Sequence, residues 1–381
     1  MGHGSRAPLR SPLRVKPLGD LGLGMARLIL PAAILVHFLT AGNLLAQSSV
    51  QITEFPACCS PIAITVGPDG NFWMWYSGDS SVSRLTPSGM LTFFRSAILF
   101  PGATPGHCVD GRDGGVWFSD GGPIGRVSTA TGVATLFPLP SGSGATDMTL
   151  GPDGALWFSD NGNQIGRMTL AGAVTEYHVP TAFRGTHSIT VGPDGALWFT
   201  SETAQVGRMD VTGGGFRYYD LPESAGDIYE QFSAITTGSD GNLWLGVLLN
   251  QGGSNVVRVT PTGQITEFPL PGPADAVLDI VAGPDGALWF TEEAANKIGR
   301  ITTSGVLTEF PLQRFGFPVG GPVGMTVGRD GAIWFTDLAG FVGRISGGPL
   351  AFPPVPTLNS TMLLLLAILM AGCGWLLLRA G

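Results

Sequence analysis

Few residues of this chain can do chemistry, and their spacing narrows them further. Of its five histidines, His3 and His37 fall in or before an apolar leader, and His178 sits in TEYHVP on an outer, solvent-facing strand. That leaves His107 and His187. The carboxylates are more orderly: Asp120, Asp160, Glu292 and Asp337 each stand two residues past the phenylalanine of a recurring W-F pair, where Tyr76, Ser201 and Val247 stand in the other copies. Oxygens in such an acidic ring suit a hard cation such as magnesium or calcium. The same carboxylates also read as a solvated rim. No CxxC or Cys/His cluster has metal-ligand spacing, and no G-x-S-x-G supports a serine triad.

What positions these residues is a repeat. The pattern G-x-D-G-x-[FVLI]-W begins at Gly67, Gly111, Gly151, Gly192, Gly238, Gly283 and Gly328, at intervals of 44, 40, 41, 46, 45 and 45 residues. Seven copies at that period predict an all-β, seven-bladed β-propeller with four strands per blade. In each copy an apolar run such as SITV leads into a tight turn, ALWFT leaves it as a second strand, IGRMT or IGRIT makes a third, and VTEYHVP or LTEFPLQ a fourth. The last copy runs into GGPLAFPP without a fourth strand, whereas VQITEFP at Val50 to Pro56 is a fourth strand with nothing before it. Pairing of the two would close the ring and cover two sheet edges. The turn aspartates (Asp69, Asp113, Asp153, Asp194, Asp240, Asp285, Asp330) and third-strand arginines (Arg84, Arg126, Arg167, Arg208, Arg258, Arg300, Arg344) recur in every copy. A site breaks sevenfold symmetry and these obey it, so both sets read as hydrogen-bonded and ion-paired staples. The seven recurring tryptophans read as core.

The ends differ in composition from the middle. Residues 1–46 read as a signal peptide with a preceding basic segment: Arg27, the apolar run LILPAAILVHFL, then AGNLLAQSS with cleavage after Ala46, and with Met25 as an alternative start. The propeller takes 47–350. Residues 351–381 combine Val355-Pro356-Thr357-Leu358, seventeen apolar residues from Met362 to Leu378, and Arg379; such a segment can just cross a bilayer. It reads as a tail anchor or as something sharper, for the arrangement resembles bacterial IPTL-type C-terminal sorting signals. That implies a membrane-anchored precursor, a sorting protease as partner, and an exported protein at the cell surface, outer membrane or outside. Cys58, Cys59 and Cys108 in the soluble part suggest one disulfide of open connectivity. With 13% charged residues and a net charge of −8, the chain offers no basic patch for nucleic acid.

The repeat, and above all AGPDGALWFTEEAANKIGRITTSGVLTEFPL at Ala282 to Leu312, resembles that of the virginiamycin B lyase (streptogramin lyase) propellers from about Val50 to Ile345. The resemblance implies magnesium-assisted elimination that opens a cyclic depsipeptide at its ester. Such chemistry needs a base for a proton alpha to a carbonyl and a cation for the developing charge. In the family, histidines in P-H-G-I segments of neighbouring blades work with carboxylates, including one at the end of W-F-x-E. The corresponding histidine place, five residues before the first turn glycine, holds Ile62, Gly106, Thr146, His187, Ser233, Leu278 and Val323. Only His187 fits; His107 stands one residue off, two blades away. The resemblance thus implies His187 as base, His107 as helper, and Asp120, Asp160, Glu292 and Asp337 as magnesium ligands. Weighed against it, and leading, is a binding or interaction module that holds a small-molecule or cell-surface ligand at the pore mouth. A lactone-hydrolase-like metal propeller is a third reading.

Overall fold

The computed structural model describes residues 50–347, apart from residues 58, 77–80, 96–105, 120, 181–184, 202–204, 223–233, 250–252, 273–275 and 313–319. The leader, the sorting motif, the apolar tail and Asp120 lie outside the described residues. The described chain forms seven four-stranded antiparallel sheets. In chain order, blades 1 to 6 span 61–95, 108–137, 145–178, 186–220, 235–269 and 277–311. Blade 7 takes three strands from 322–346 and its fourth from the other end of the chain. Gln51–Pro56 pairs antiparallel with Phe341–Ser346, from Gln51 opposite Ser346 to Pro56 opposite Phe341. The ring closes as the unpartnered VQITEFP segment predicts.

The repeated turn builds each blade around its tryptophan. The turn-closing glycines, from Gly70 to Gly331, have φ between 70° and 79°, a region open to glycine at no steric cost. The first glycine has another reason: a Cβ at Gly67 or Gly283 would overlap the edge of Trp73 or Trp289 and the turn aspartate. The seven tryptophans are fully buried, and every indole Nε1 donates to the turn aspartate's Oδ1, at 3.0 to 3.4 Å. A buried N–H left without an acceptor costs about 1–3 kcal/mol, so the aspartate is what permits tryptophan there.

The second aspartate oxygen divides the blades. In blades 2, 3, 4, 6 and 7 it accepts from the third-strand arginine Nε, at 2.6 to 2.9 Å. In blades 1 and 5 an asparagine enters the turn, and Asn71 or Asn242 Nδ2 donates to that oxygen at 2.7 Å. Their arginines, Arg84 and Arg258, lie over both the tryptophan and the fourth-strand phenylalanine, Trp73/Phe94 and Trp244/Phe268, 5.6 to 5.9 Å from the centroids. Arg126, Arg167, Arg300 and Arg344 instead combine the ion pair with a contact to the tryptophan at 5.8 to 5.9 Å. The staple therefore has two forms, and a shorter polar side chain in the turn selects between them.

The fourth strand adds an aromatic lid to each tryptophan: Phe310 on Trp289 at 5.5 Å, Tyr219 on Trp198 at 5.5 Å. In blade 7 that ring is Phe55, 5.3 Å from Trp334 and 16° from coplanar. The closing strand thus supplies a side chain as well as a hydrogen-bonded edge.

Candidate functional site at the pore mouth

The first strand of each blade carries the residues that face the pore, and it does so through irregularity. In blades 1, 3, 4, 6 and 7 the pairing of first and second strands slips, between Ala145 and Asp147 in blade 3 and between Val277 and Ile280 in blade 6, for example. A bulge leaves residues out of the ladder and re-aims their side chains. The slip skips both His187 and Ser188, Leu278 and Asp279, and Val323 and Gly324, but only Ile62 in blade 1 and Thr146 in blade 3; two successive places in the blades nonetheless line the pore. One is the histidine place: Ile62, Gly106, Thr146, His187, Leu278 and Val323 all line one cavity. The next residue makes a second ring: Ala63, His107, Asp147, Ser188, Ala234, Asp279 and Gly324 line it too. His107 is thus in step with Asp147 and Asp279, and one ring away from His187. Asn161, Glu293 and Leu338, one residue past the W-F-x-[DE] place, complete the wall. The cavity measures about 530 Å³, within the range of small-molecule sites.

A belt of buried hydroxyls fixes the second ring. The backbone N–H of His107, Asp147, Ser188, Asp279 and Gly324 donates to Ser119, Ser159, Thr200, Thr291 and Thr336 on the adjoining strand, at 2.9 to 3.3 Å. Three of those hydroxyls also reach the next blade: Ser119 donates to the Thr146 carbonyl, Ser159 to that of His187, and Thr291 to that of Val323. The bulged amides are satisfied, as buried backbone requires.

Two carboxylates in this ring were missed in the sequence. Asp147 Oδ1 accepts from Met148 N–H and Oδ2 from Ile189 N–H of blade 4. Asp279 repeats the arrangement with Ile280 and, in blade 7, Met325. Both residues are about 95% buried. Asp147 Oδ1 also lies 3.1 Å from His107 Nδ1. Burial pushes both aspartates above the usual carboxylate range, more than His107 and their backbone donors pull them down. Burial alone would hold His107 neutral, but Asp147 and then Asp279 outweigh it and raise its pKa. Cys108, beside it, is pushed well above the ordinary thiol value by burial and by the same two acids, which keeps it protonated.

Both histidines named from sequence line the cavity. The three described acids of the W-F-x-[DE] place, Asp160, Glu292 and Asp337, do not: they are fully buried within their own blades. Asp160 accepts from Ser143 Oγ and Gly162 N–H, and Asp337 from Ala339 N–H. Among the described residues no three His, Cys, Asp or Glu side chains converge as metal ligands. Cys108 is a free thiol buried at the pore; Cys59 is exposed, and Cys58 lies outside the described residues.

A family model described as Virginiamycin B lyase family matches residues 48–228 and 219–360. Among solved structures, a catalytically inactive histidine-to-alanine variant of virginiamycin B lyase from Staphylococcus aureus with quinupristin is 30% identical, with a TM-score of 0.69, covering 78% of this chain and 99% of that one. A streptogramin B lyase is 32% identical, TM-score 0.68, covering 79% and 99%. The WD40 propeller domain of Doa1, at 13% identity, TM-score 0.60 and 78% and 97% coverage, shares the fold alone. No curated protein sequence matches this chain.

Proposed function

The chain belongs to the virginiamycin B lyase family, and from that premise we propose that it is a ligand-binding propeller whose site is the cavity at the pore mouth. One observation carries this reading. The cavity of about 530 Å³ is lined by both inward rings, yet the histidine place carries Ile62, Leu278 and Val323 where paired histidines would be needed. Apolar walls around a small polar group are the usual makings of a binding site. The leader and the sorting-type tail support an exported protein that meets its ligand at the cell surface.

A second reading, elimination at the ester of a cyclic depsipeptide, is favoured by the His107–Asp147 contact, because a carboxylate on Nδ1 leaves Nε2 as a proton acceptor. Titration with quinupristin separates the two. Shifts of the Ile62, Leu278 and Val323 methyl signals, with the mass of quinupristin unchanged, are expected for the binding module. A ring-opened product, with or without added magnesium, would replace that reading by the lyase. Absence of any methyl shift would count against quinupristin-like ligands at this site.

A further inference from the structure

We propose that the ligand of the pore mouth is an amine: an apolar body bearing one ammonium group, which donates to Nε2 of neutral His107 and lies between the carboxylates of Asp147 and Asp279. The proposal rests on reading the cavity as a ligand site and adds the ligand's chemistry. Three features of the lining select it.

The first is sign. Asp147, Asp279 and Glu293 line the cavity, and among the described residues no lysine or arginine does. An anionic ligand would meet like charges at low dielectric. The second is the acceptor. With Nδ1 3.1 Å from Asp147, the neutral ring donates from Nδ1 and presents the Nε2 lone pair. The His107 side chain is 39% accessible while that of Asp147 is 7%, so ligand access is through the imidazole. The third is fixed position. Each oxygen of Asp279 holds one backbone N–H, from Ile280 at 2.8 Å and Met325 at 2.6 Å, so the carboxylate stays in place without a cationic side chain. Where His107 is neutral, an ammonium group supplies the counter-charge that the protonated imidazole otherwise gives the two acids, and Ile62, Leu278 and Val323 receive the apolar body.

Proton and ligand compete for one nitrogen. Among the described residues the titratable groups that share the cavity with His107 are Asp147 from blade 3, Asp279 and Glu293 from blade 6, His187 from blade 4 and the neighbouring Cys108. Of these, Asp147 and Asp279 raise the His107 pKa against the effect of burial. Amine binding therefore strengthens as pH rises through that pKa, and below it each bound amine displaces one proton.

An isosteric trio tests this: 2-phenylethylamine, 2-phenylethanol and phenylacetate, titrated by calorimetry in two buffers of different ionisation enthalpy while the cavity methyl signals are followed. The amine is expected to bind at least tenfold more tightly than the alcohol, with proton release, and phenylacetate not at all. His107→Ala should abolish the proton release and cost the amine about tenfold without affecting the alcohol. Ala63 and Ala234 occupy the same ring place in blades 1 and 5, so the fold accommodates alanine there. Asp147→Asn should lower the His107 pKa seen by NMR and weaken the amine alone. Equal affinity for amine and alcohol, amine binding indifferent to His107→Ala, or no amine binding would each overturn the proposal. Methyl shifts with the alcohol or the acid would then show that the cavity still binds ligands, separating this failure from that of the pore-mouth reading.

Discussion

Removing one ring tests whether the closing strand is the weakest joint of the molecule. Phe55 is half-buried, stacks on Trp334 at 5.3 Å and lies so close to Gly89 of blade 1 that a Cβ there would overlap it. Truncating a fully buried phenylalanine costs about 3–5 kcal/mol, so half-burial brings Phe55→Ala to about 2 kcal/mol, roughly a 30-fold shift in an opening equilibrium at 1.4 kcal/mol per tenfold. Because Gln51–Pro56 joins blade 7 through strand pairing across the chain ends, that loss should appear as local opening. Hydrogen exchange should accelerate about 30-fold in Gln51–Pro56 and Phe341–Ser346, with little change in blade 3. The matched control is Phe310→Ala in blade 6, whose ring stacks on Trp289 with the same geometry but whose strand follows its neighbour in sequence. It should cost similar global stability and leave Phe341–Ser346 protected. If Phe55→Ala leaves that strand as protected as before, or speeds exchange equally around the ring, the seam is not a separate cooperative unit.

Three further outcomes follow from the same contacts. Asp285→Ala leaves Trp289 Nε1 and Arg300 Nε without their acceptors and should cost about 3 kcal/mol in urea unfolding, whereas Asp285→Asn, which keeps an acceptor for the indole, should cost less; equal losses would refute the two-oxygen staple. Gly166→Ala puts a Cβ into the Phe158 ring and should lower stability by about 1–3 kcal/mol, read as the denaturant midpoint; an unchanged midpoint would show that the strands yield. At Asp153, Asp194 and Asp330 burial raises the pKa, but bonds from Arg167, Trp198 and Arg344 among others outweigh it, so all three titrate below the ordinary carboxylate value. Their contribution is present above about pH 4 and is lost as pH falls through the folded pKa. The melting temperature should drop there, less steeply in Asp153→Asn; parallel curves would exclude the pair as a source.

The ring, its closure and the staple could be read from the sequence because each is repeated: Asp285 and Trp289 mean little alone, but seven such pairs at one spacing define a turn. The pore mouth was legible only in part. Strand alternation assigns one residue inward and the next outward, so the reading followed the His187 place and passed over its neighbour. Both residues reach the pore, helped in five blades by a slip of the pairing, which is how Asp147 and Asp279 escaped notice. The same arithmetic misjudged the W-F-x-[DE] place: Asp160, Glu292 and Asp337 are buried in their blades, and the following residues, Asn161 and Glu293 among them, reach the cavity. The double use of turn aspartates, by arginine or by asparagine, was visible only as the bare fact that Asn71 and Asn242 follow D-G.

The bulges also have a consequence for how this architecture diversifies. Residues held in the ladder must suit partners on both sides, so a change there is resisted by the whole blade. The pairs at the pore are anchored through their amides by the hydroxyl belt, with further side-chain bonds from Thr146, Asp147 and Asp279, and the apolar side chains among them add no hydrogen bond to the frame. Isoleucine, threonine, histidine or leucine can follow one another around the rim on an unaltered frame. Specificity can drift there while the scaffold stays still, so the 30% identity shared with the lyase measures the inheritance of the wheel and is nearly silent about what the hub receives.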